Sequence, residues 1–427
     1  MASVHGDDLI EKSLCGDVLI EMSSWLPAKV IYKFKCTNKY FLNFSRDPYF
    51  ALRQTQNALL KDDPSFFIQP NFSQRFNDNI IELHHLSGDN SSGVSKEVLD
   101  YLAKSSKILS SANGLILCRD KTSNSEVQLF LINPATQTWM PIPIPEQLQH
   151  IGADADLKVI LECDDKDNCM VSFFYDNSDD FWSLYWDCKV YVTKEGIWKE
   201  KEGSLFTGSR SLKFDMPVFY NGDVHFISDC SPYLIKGSFY FRPYIMSYNF
   251  ENRTTKLLRL PKEARRGSHD ISCNMGIFKW GKHNSSTQSI CLVRLRKCVF
   301  TVWILTKYES SLWKRILKVR VKAMGLTEKD PDVTGFCVLN GDLLVFSTRR
   351  KVYGCGLSNG NYMKIEEICE HGCGNKVCFT SYSNTMRICG DDDDARALLL
   401  RSRPFDKQRY TFPFERHQRT FCLKFEA

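Results

Sequence analysis

No window of about 18 apolar residues occurs along this 427-residue chain, so the sequence offers no helical membrane span. The opening stretch, MASVHGDDLIEKS, is polar and acidic, without the basic and apolar regions of a secretory signal. A long basic stripe is missing as well. Lys and Arg number 56 against 50 Asp and Glu, a net charge of only +6, and basic residues come in short clusters such as the pair Arg265-Arg266. That excludes the electrostatic footprint of a nucleic-acid binder. No GxxxxGKS, GxxxxGKT or GxGxxG loop is present to cradle phosphate. The nine histidines are scattered rather than placed beside a candidate nucleophile and acid.

Cysteine, by contrast, is plentiful, with 17 residues. Several sit inside apolar runs: Cys118 in GLILCRD, Cys291 in SICLVRL and Cys337 in GFCVLNG. There a thiol acts as a small hydrophobe. Such placement, without a leader, implies a reducing setting in cytoplasm or nucleus, and makes the sequons at Asn43, Asn71, Asn252 and Asn284 accidents of composition. The run CEHGCGNKVC sets Cys369, His371, Cys373 and Cys378 within ten residues, all capable metal ligands. No second pair with zinc-finger spacing follows, so these read as buried and loop thiols, and no metal or cofactor is expected. The acidic run at 391–396 lacks the spaced ligands of a calcium loop and reads as a solvated charge run. His225, alternating with apolar residues in DVHFIS, reads as a packed histidine satisfied by the backbone.

Residues 12–60 carry a helical pattern. Leu14, Val18 and Met22 recur at four-residue spacing, widened by Leu19 and Leu26, with Asp17 near the helix start where its charge suits the dipole. Pro27 ends this helix and opens the next, because proline is tolerated at a first helical position. Val30, Ile31 and Phe34 give a second apolar face; Cys36, Tyr40, Phe41 and Phe44 a third; Asp47-Pro48 caps a fourth helix through Phe50 and Leu52. Four short helices bury little by themselves, so exposed apolar surface here points to a partner. After a linker and first strands over 56–104, including the polar loop GDNSSGVSK, the pattern from 105 onward is of short apolar runs separated by turn chemistry. Asn221-Gly222 and Asn340-Gly341 mark tight hairpins. LFLINPATQTWMPIPIP and IMSYNFENRTTKLLRLP share one pattern, apolar strand, polar turn and a strand ending in proline; VYVTKEGIWKE and ILTKYESSLWKRI share another, a polar turn followed by tryptophan. Repeated hairpins over about 290 residues fit a six- or seven-bladed propeller. The expected fold is a small all-α module followed by a large all-β domain.

LCGDVLIEMSSWLPAKVIYKFKCTNKYFLNFSRDPYF (14–50) resembles the F-box of plant F-box proteins. SANGLILCRD, LFLINPATQTWMPIPIP, VFYNGDVHFIS and VFTVWILTKYESSLWKRILKV resemble the F-box-associated, kelch-related domain that often follows it. The resemblance divides the chain into an F-box at 10–55, linker and first strands at 56–104 and a β-propeller-like substrate-recognition domain at 105–427. It implies a non-enzymatic substrate receptor of an SCF-type cullin-RING ubiquitin ligase, which binds a Skp-family adaptor, and through it cullin, with the F-box and a target protein with the β domain. Carried over residue by residue, the adaptor-contacting or packing positions are Leu14, Asp17, Leu19, Ile20, Met22, Leu26, Pro27, Val30, Phe34 and Cys36. Two positions depart from the family pattern. Its Leu-Pro opening is Leu14-Cys15 here, which removes a pre-set backbone angle, and its third-helix tryptophan is Phe41, which keeps an aromatic plug of smaller volume. A propeller enzyme of oxidase or glycosidase type with an incidental helical cap, or an F-box protein acting outside ligases, are the alternatives. Trp182, Trp186 and a loop-placed Trp280 are the more exposed-looking interface anchors, and no residue is assigned to substrate.

Overall fold

The computed structural model describes residues 17–390 apart from 36–38, 61–64, 72–79, 87–93, 121–126, 150–155, 165–167, 177–183, 209, 231–235, 239, 283–287, 358–364 and 375. Four helices come first: α1 (17–24), α2 (Ala28–Lys35), α3 (Lys39–Phe44) and α4 (Pro48–Leu59). Their ends follow the sequence chemistry. Pro27 stands just ahead of α2, its carbonyl accepting from the amide of Val30 at 2.9 Å. Asp47 caps α4, its carboxylate accepting from the amide of Tyr49 at 2.9 Å, with Pro48 at the first helical position.

The strands form six antiparallel sheets arranged as blades, which settles the expected six or seven at six. The chain enters the ring through β1 (Ser65–Pro70) and β2 (Glu82–His85), and α5 (Lys96–Ser105) then leads to the first complete blade, β3 (Ser106–Ala112), β4 (Leu115–Asp120), β5 (Leu129–Asn133) and β6 (Thr138–Ile142). The second holds β7 (Val159–Cys163), β8 (Cys169–Tyr175), β9 (Tyr185–Val192) and β10 (Ile197–Phe206). The third holds β11 (Val218–Tyr220), β12 (Asp223–Ile227), β13 (Ile245–Asn249) and β14 (Thr255–Leu258). The fourth is β15 (Asn274–Trp280), β16 (Ser289–Arg296), β17 (Val299–Lys307) and β18 (Leu312–Arg320); the fifth is β19 (Gly335–Leu339), β20 (Leu343–Ser347), β21 (Lys351–Gly356) and β22 (Ile365–Glu370). The ring closes when β23 (Val377–Tyr382) pairs antiparallel with β1, from Val377 opposite Pro70 to Tyr382 opposite Ser65. The segment 56–104 thus supplies two strands of a three-stranded closing blade.

The turns explain the short strands. Asn221-Gly222 and Asn340-Gly341 both adopt positive φ at the two central positions, the geometry of a type I′ hairpin. Asn113-Gly114 does the same between β3 and β4, a third such turn. At Gly341 a side chain is excluded twice over: φ is +73°, and a Cβ would collide with the backbone of Gly281, whose amide donates to the Gly341 carbonyl at 3.1 Å.

The sequence repeats fall on one structural unit, the outer two strands of a blade. The proline-ended pattern is β5–β6 and β13–β14, and the tryptophan-ended pattern is β9–β10 and β17–β18. Adjacent blades interlock through them. Trp198 on β10 donates its indole N–H to the carbonyl of Pro143 beyond β6, at 2.7 Å, and Trp313 on β18 donates to the carbonyl of Arg259 beyond β14, at 2.9 Å.

Trp280 is the last residue of β15, opposite Ser289, and half-buried, where a loop position was expected. Trp186 is half-buried too, stacked on Phe214 at 5.5 Å with Lys158 over its ring at 4.0 Å. Trp182 and the 391–396 run lie outside the described residues.

Candidate functional site

Inner strands set the two faces of the ring. The helices enter β1 at Ser65, beside Tyr382 at the end of β23, so they lie on the face where inner strands end. A small apolar cluster seats them there: Ala28, Ile31, Phe50 and Ala51 pack with Ala135, in the turn between β5 and β6, and with Met386. Phe41 stacks on Phe34 at 5.0 Å and meets Phe44 edge-on at 6.1 Å, which in turn stacks on Phe50. The aromatic plug at position 41 therefore transmits packing from α2 to α4.

Polar side chains fix the arrangement. Gln54, 1% exposed, donates to the carbonyl of Leu26 at 3.1 Å and accepts from the amide of Met386 at 2.8 Å. Asn57 donates to the Ser24 hydroxyl at 2.7 Å, and Arg53 forms a paired bond to Glu21 at 3.1 Å on both oxygens. The Arg53 guanidinium holds the Glu21 carboxyl below its ordinary range. From the propeller side, Asn133 donates to the carbonyls of Thr385, at 3.1 Å, and Arg387, at 2.6 Å, so that 385–387 is strapped between a blade and α4.

With its underside buried, the helical group turns other apolar residues outward. Of the twelve large hydrophobic side chains that are exposed among the described residues, seven lie between 17 and 60: Val18, Leu19, Met22, Trp25, Phe34, Tyr49 and Leu60. Met22 is 66% exposed and Val18 52%. Val18, Leu19 and Met22 lie on α1, Phe34 on α2 and Tyr49 on α4, with Trp25 and Leu60 just beyond α1 and α4. Among the positions carried over from the F-box pattern, Asp17, Leu19, Met22, Pro27 and Phe34 are exposed, while Ile20, Leu26 and Val30 are half-buried. Ile20 and Leu26 border the cluster that seats the helices. Leu14 and Cys36, like Cys15, lie outside the described residues. Trp25 and Tyr49 were missed by sequence reasoning, although tryptophan in a helix end is a usable signal.

The opposite face, where inner strands begin, carries mixed charge around the central channel. Lys107, Asp156, Lys213, Asp215 and Cys378 interact there. Burial lowers the Lys107 ammonium pKa and raises that of the Asp215 carboxyl. Asp215 keeps exposed surface although the ring encircles it, as a group lining a channel does. Lys213 crosses to the next blade, donating to the Asn274 side chain at 2.6 Å and the Met275 carbonyl at 2.7 Å. Nearby on the same face, Tyr185 (58% exposed) and Leu184 lead a row of rings through Phe206, 5.3 Å from Tyr185, and Tyr240, 5.6 Å further.

Two features bear on catalysis and metal binding. His225 is fully buried; one ring nitrogen bonds the Val218 carbonyl at 3.1 Å, as expected of a packed histidine, and the other meets the Tyr308 hydroxyl at 2.8 Å. Tyr308 also reaches Asp223 at 3.2 Å, a blade-to-blade link that sequence reasoning missed. Burial lowers the pKa of His225. His371 likewise spends both nitrogens inside the protein, on the Thr348 carbonyl at 2.9 Å and the Cys373 amide at 3.2 Å. Among the described residues no three His, Cys, Asp or Glu side chains are grouped to hold a metal ion, and no helix is long and apolar enough to cross a membrane. A cleft of about 420 Å³ on the helix-bearing face includes Glu162, Tyr220, Asp223 and Gln288. Burial, helped by Asp164, pushes the Glu162 carboxyl up to about 7.

A known protein family shares this architecture. The family model described as "F-box protein At3g26010-like, beta-propeller" matches residues 75–331. The F-box protein At5g49610 of Arabidopsis thaliana is 21% identical over 354 residues, 79% of this chain and 86% of that protein. F-box protein At5g07610 of the same plant is 22% identical over 257 residues, 57% of this chain and 56% of that one. Among solved structures, TolB from Acinetobacter baumannii superposes with a TM-score of 0.43 at 13% identity, over 76% of this chain and 67% of that one. The Aleuria aurantia lectin AAL gives 0.39 at 12%, over 73% and 96%.

Proposed function

The chain belongs to the At3g26010-like F-box β-propeller family, and on that premise we propose that it is the substrate-receiving, non-catalytic subunit of an SCF-type ubiquitin ligase. In this reading α1–α4 are the F-box and dock a Skp-family adaptor, while the propeller holds a target protein. The observation that carries it is the outward apolar face of the helices, led by Val18, Leu19, Met22 and Phe34. Burying one such side chain in an interface contributes up to about 1.5–3 kcal/mol before association costs. The target would sit on the far face of the ring, where Leu184 and Tyr185 stand clear of the surface beside the charged channel mouth. A receptor built this way accelerates transfer by proximity, raising the local concentration of acceptor lysines rather than by supplying a catalytic group.

The test is co-purification of the full chain with a Skp adaptor, comparing wild type with a Val18→Asp, Met22→Asp double variant. These side chains face solvent, whereas Leu26 borders the seating cluster and its substitution would unseat the helices. Wild type should bind, and the variant should bind at least about tenfold more weakly, equivalent to 1.4 kcal/mol. No binding by wild type, or equal binding by a folded variant, overturns the proposal.

A further inference from the structure

The second blade carries a pair of thiols that no part of the proposed function uses. Cys163 ends β7 and Cys169 begins β8, and the register sets them directly opposite each other. One step toward the turn, the amide of Asp164 donates to the carbonyl of Asn168 at 2.9 Å, and the Asp164 carboxylate accepts from the Asn168 amide at 2.7 Å and from its side chain at 2.6 Å. Ladder alternation therefore makes Cys163 and Cys169 a non-hydrogen-bonded pair, the position where opposing Cα atoms approach to about 4.5 Å. That spacing falls inside the window that a disulfide requires, about 4.4–6.8 Å. The two sulfurs are in contact at 2.7 Å.

Each backbone is held from outside the hairpin. The Cys163 carbonyl accepts from Asn113 of the neighbouring blade at 3.1 Å. The Cys169 carbonyl accepts from the amide and hydroxyl of Thr193 at 3.1 and 3.0 Å. Both side chains pack in one apolar cluster with Leu161 and Val171, Cys169 buried and Cys163 half-buried. Cys169 also lines a cleft of about 660 Å³ with Ala51 and Leu52 of α4 and with the 387–390 strap. By comparison, Cys230 and Cys273 have their sulfurs 3.9 Å apart, an ordinary contact between separate loops.

We propose that Cys163 and Cys169 form a reversible dithiol–disulfide site that takes a disulfide oxidant such as oxidised glutathione. The Cys163 thiolate, the more accessible of the two, attacks one sulfur of glutathione disulfide. A glutathione thiolate leaves and takes up the proton Cys163 lost. The Cys169 thiolate then attacks the Cys163 sulfur of the mixed disulfide, expelling a second glutathione, which takes up the second proton. Two protein thiols are oxidised to one disulfide, and glutathione disulfide is reduced to two glutathiones. The bond staples the β7–β8 hairpin at its helix-facing end, under the cleft that α4 covers.

The experiment treats the folded full chain with glutathione disulfide, alkylates remaining thiols and maps disulfide-linked peptides by fragmentation mass spectrometry. A Cys163–Cys169 linkage should form, with loss of alkylation at both residues and its return after dithiothreitol. A Cys169→Ser variant should instead accumulate glutathione on Cys163. Wild-type Cys163 and Cys169 that stay fully alkylatable overturn the proposal, as does glutathione that persists on wild-type Cys163, or a linkage of Cys163 to any other cysteine. The wild-type measurement decides even where the variant fails to fold.

Discussion

Gln54 is the sharpest place to perturb the seat of the helices. Its amide bridges three chain segments: α4, the turn after α1 through Leu26, and the strap through Met386. Gln54→Met keeps length and apolar packing while removing both bonds. The Met386 amide is left buried without its acceptor, and the half-buried Leu26 carbonyl loses its donor. A stranded buried group costs about 1–3 kcal/mol, with the partly wet carbonyl at the low end, so the seat should weaken by about 2–4 kcal/mol. Native-state hydrogen exchange reads this directly. Protection of the α4 amides and of Met386 should fall by roughly 30- to 1,000-fold, since each 1.4 kcal/mol is tenfold. The amides of β15–β18, remote from the change, serve as the internal reference. Arg53→Ala gives the contrast. Its ion pair with Glu21 is 41% and 48% exposed, and solvent screening leaves such a surface pair little net effect on stability. Unchanged exchange in α4 and at Met386 after Gln54→Met, or an equal effect of Arg53→Ala, would refute the claim that this glutamine holds the seat.

The other predictions concern the ring. Trp198→Phe and Trp313→Phe each remove one inter-blade hydrogen bond, about 0.5–1.5 kcal/mol, together with some ring contact. Because the two share no partner, the double variant should be additive within about 0.5 kcal/mol in denaturant titration. Glu162 has its carboxyl pKa raised in the fold from 4.5 to about 7, chiefly by burial. The folded chain therefore favours the protonated form, and the stability this contributes is present below pH 4.5 and lost as pH rises through about 7. Glu162→Gln should flatten the melting-temperature profile between those values and raise the melting temperature relative to wild type above pH 7. An identical profile in both proteins would remove Glu162 as its source.

Much of the local structure was legible because single residues dictate it. Pro27 and the Asp47-Pro48 pair set helix starts, and Asn221-Gly222 and Asn340-Gly341 set hairpins, each through backbone angles that few residues share. The repeats were visible as patterns, but their meaning was not: that a tryptophan of one pattern donates to the carbonyl following the proline-ended strands of the other is a contact across 54 or 55 residues. The same distance hid the closing blade, since pairing of β1 with β23 joins residues over three hundred positions apart, with no local signature at either end. Blade number followed only once that closure was seen. On the helices, periodicity located the apolar residues but not which of them face the propeller. Ile31 and Phe50 went inward and Met22 outward, because Ala135 and Met386 stand where no helical pattern points.

The strap at 385–387 also orders events in time. The helices leave the ribosome first, yet Met386, against which they pack, is made 327 residues after α4 ends, counting from Leu59. At about 5–20 residues per second, that interval is roughly 15–65 s. During it the outward face is bare and the seat of Ile31 and Phe50 is incomplete, since Ala135 is made early in the interval but Met386 only at its end. A partner able to capture the nascent helices would therefore have access to them before the ring closes.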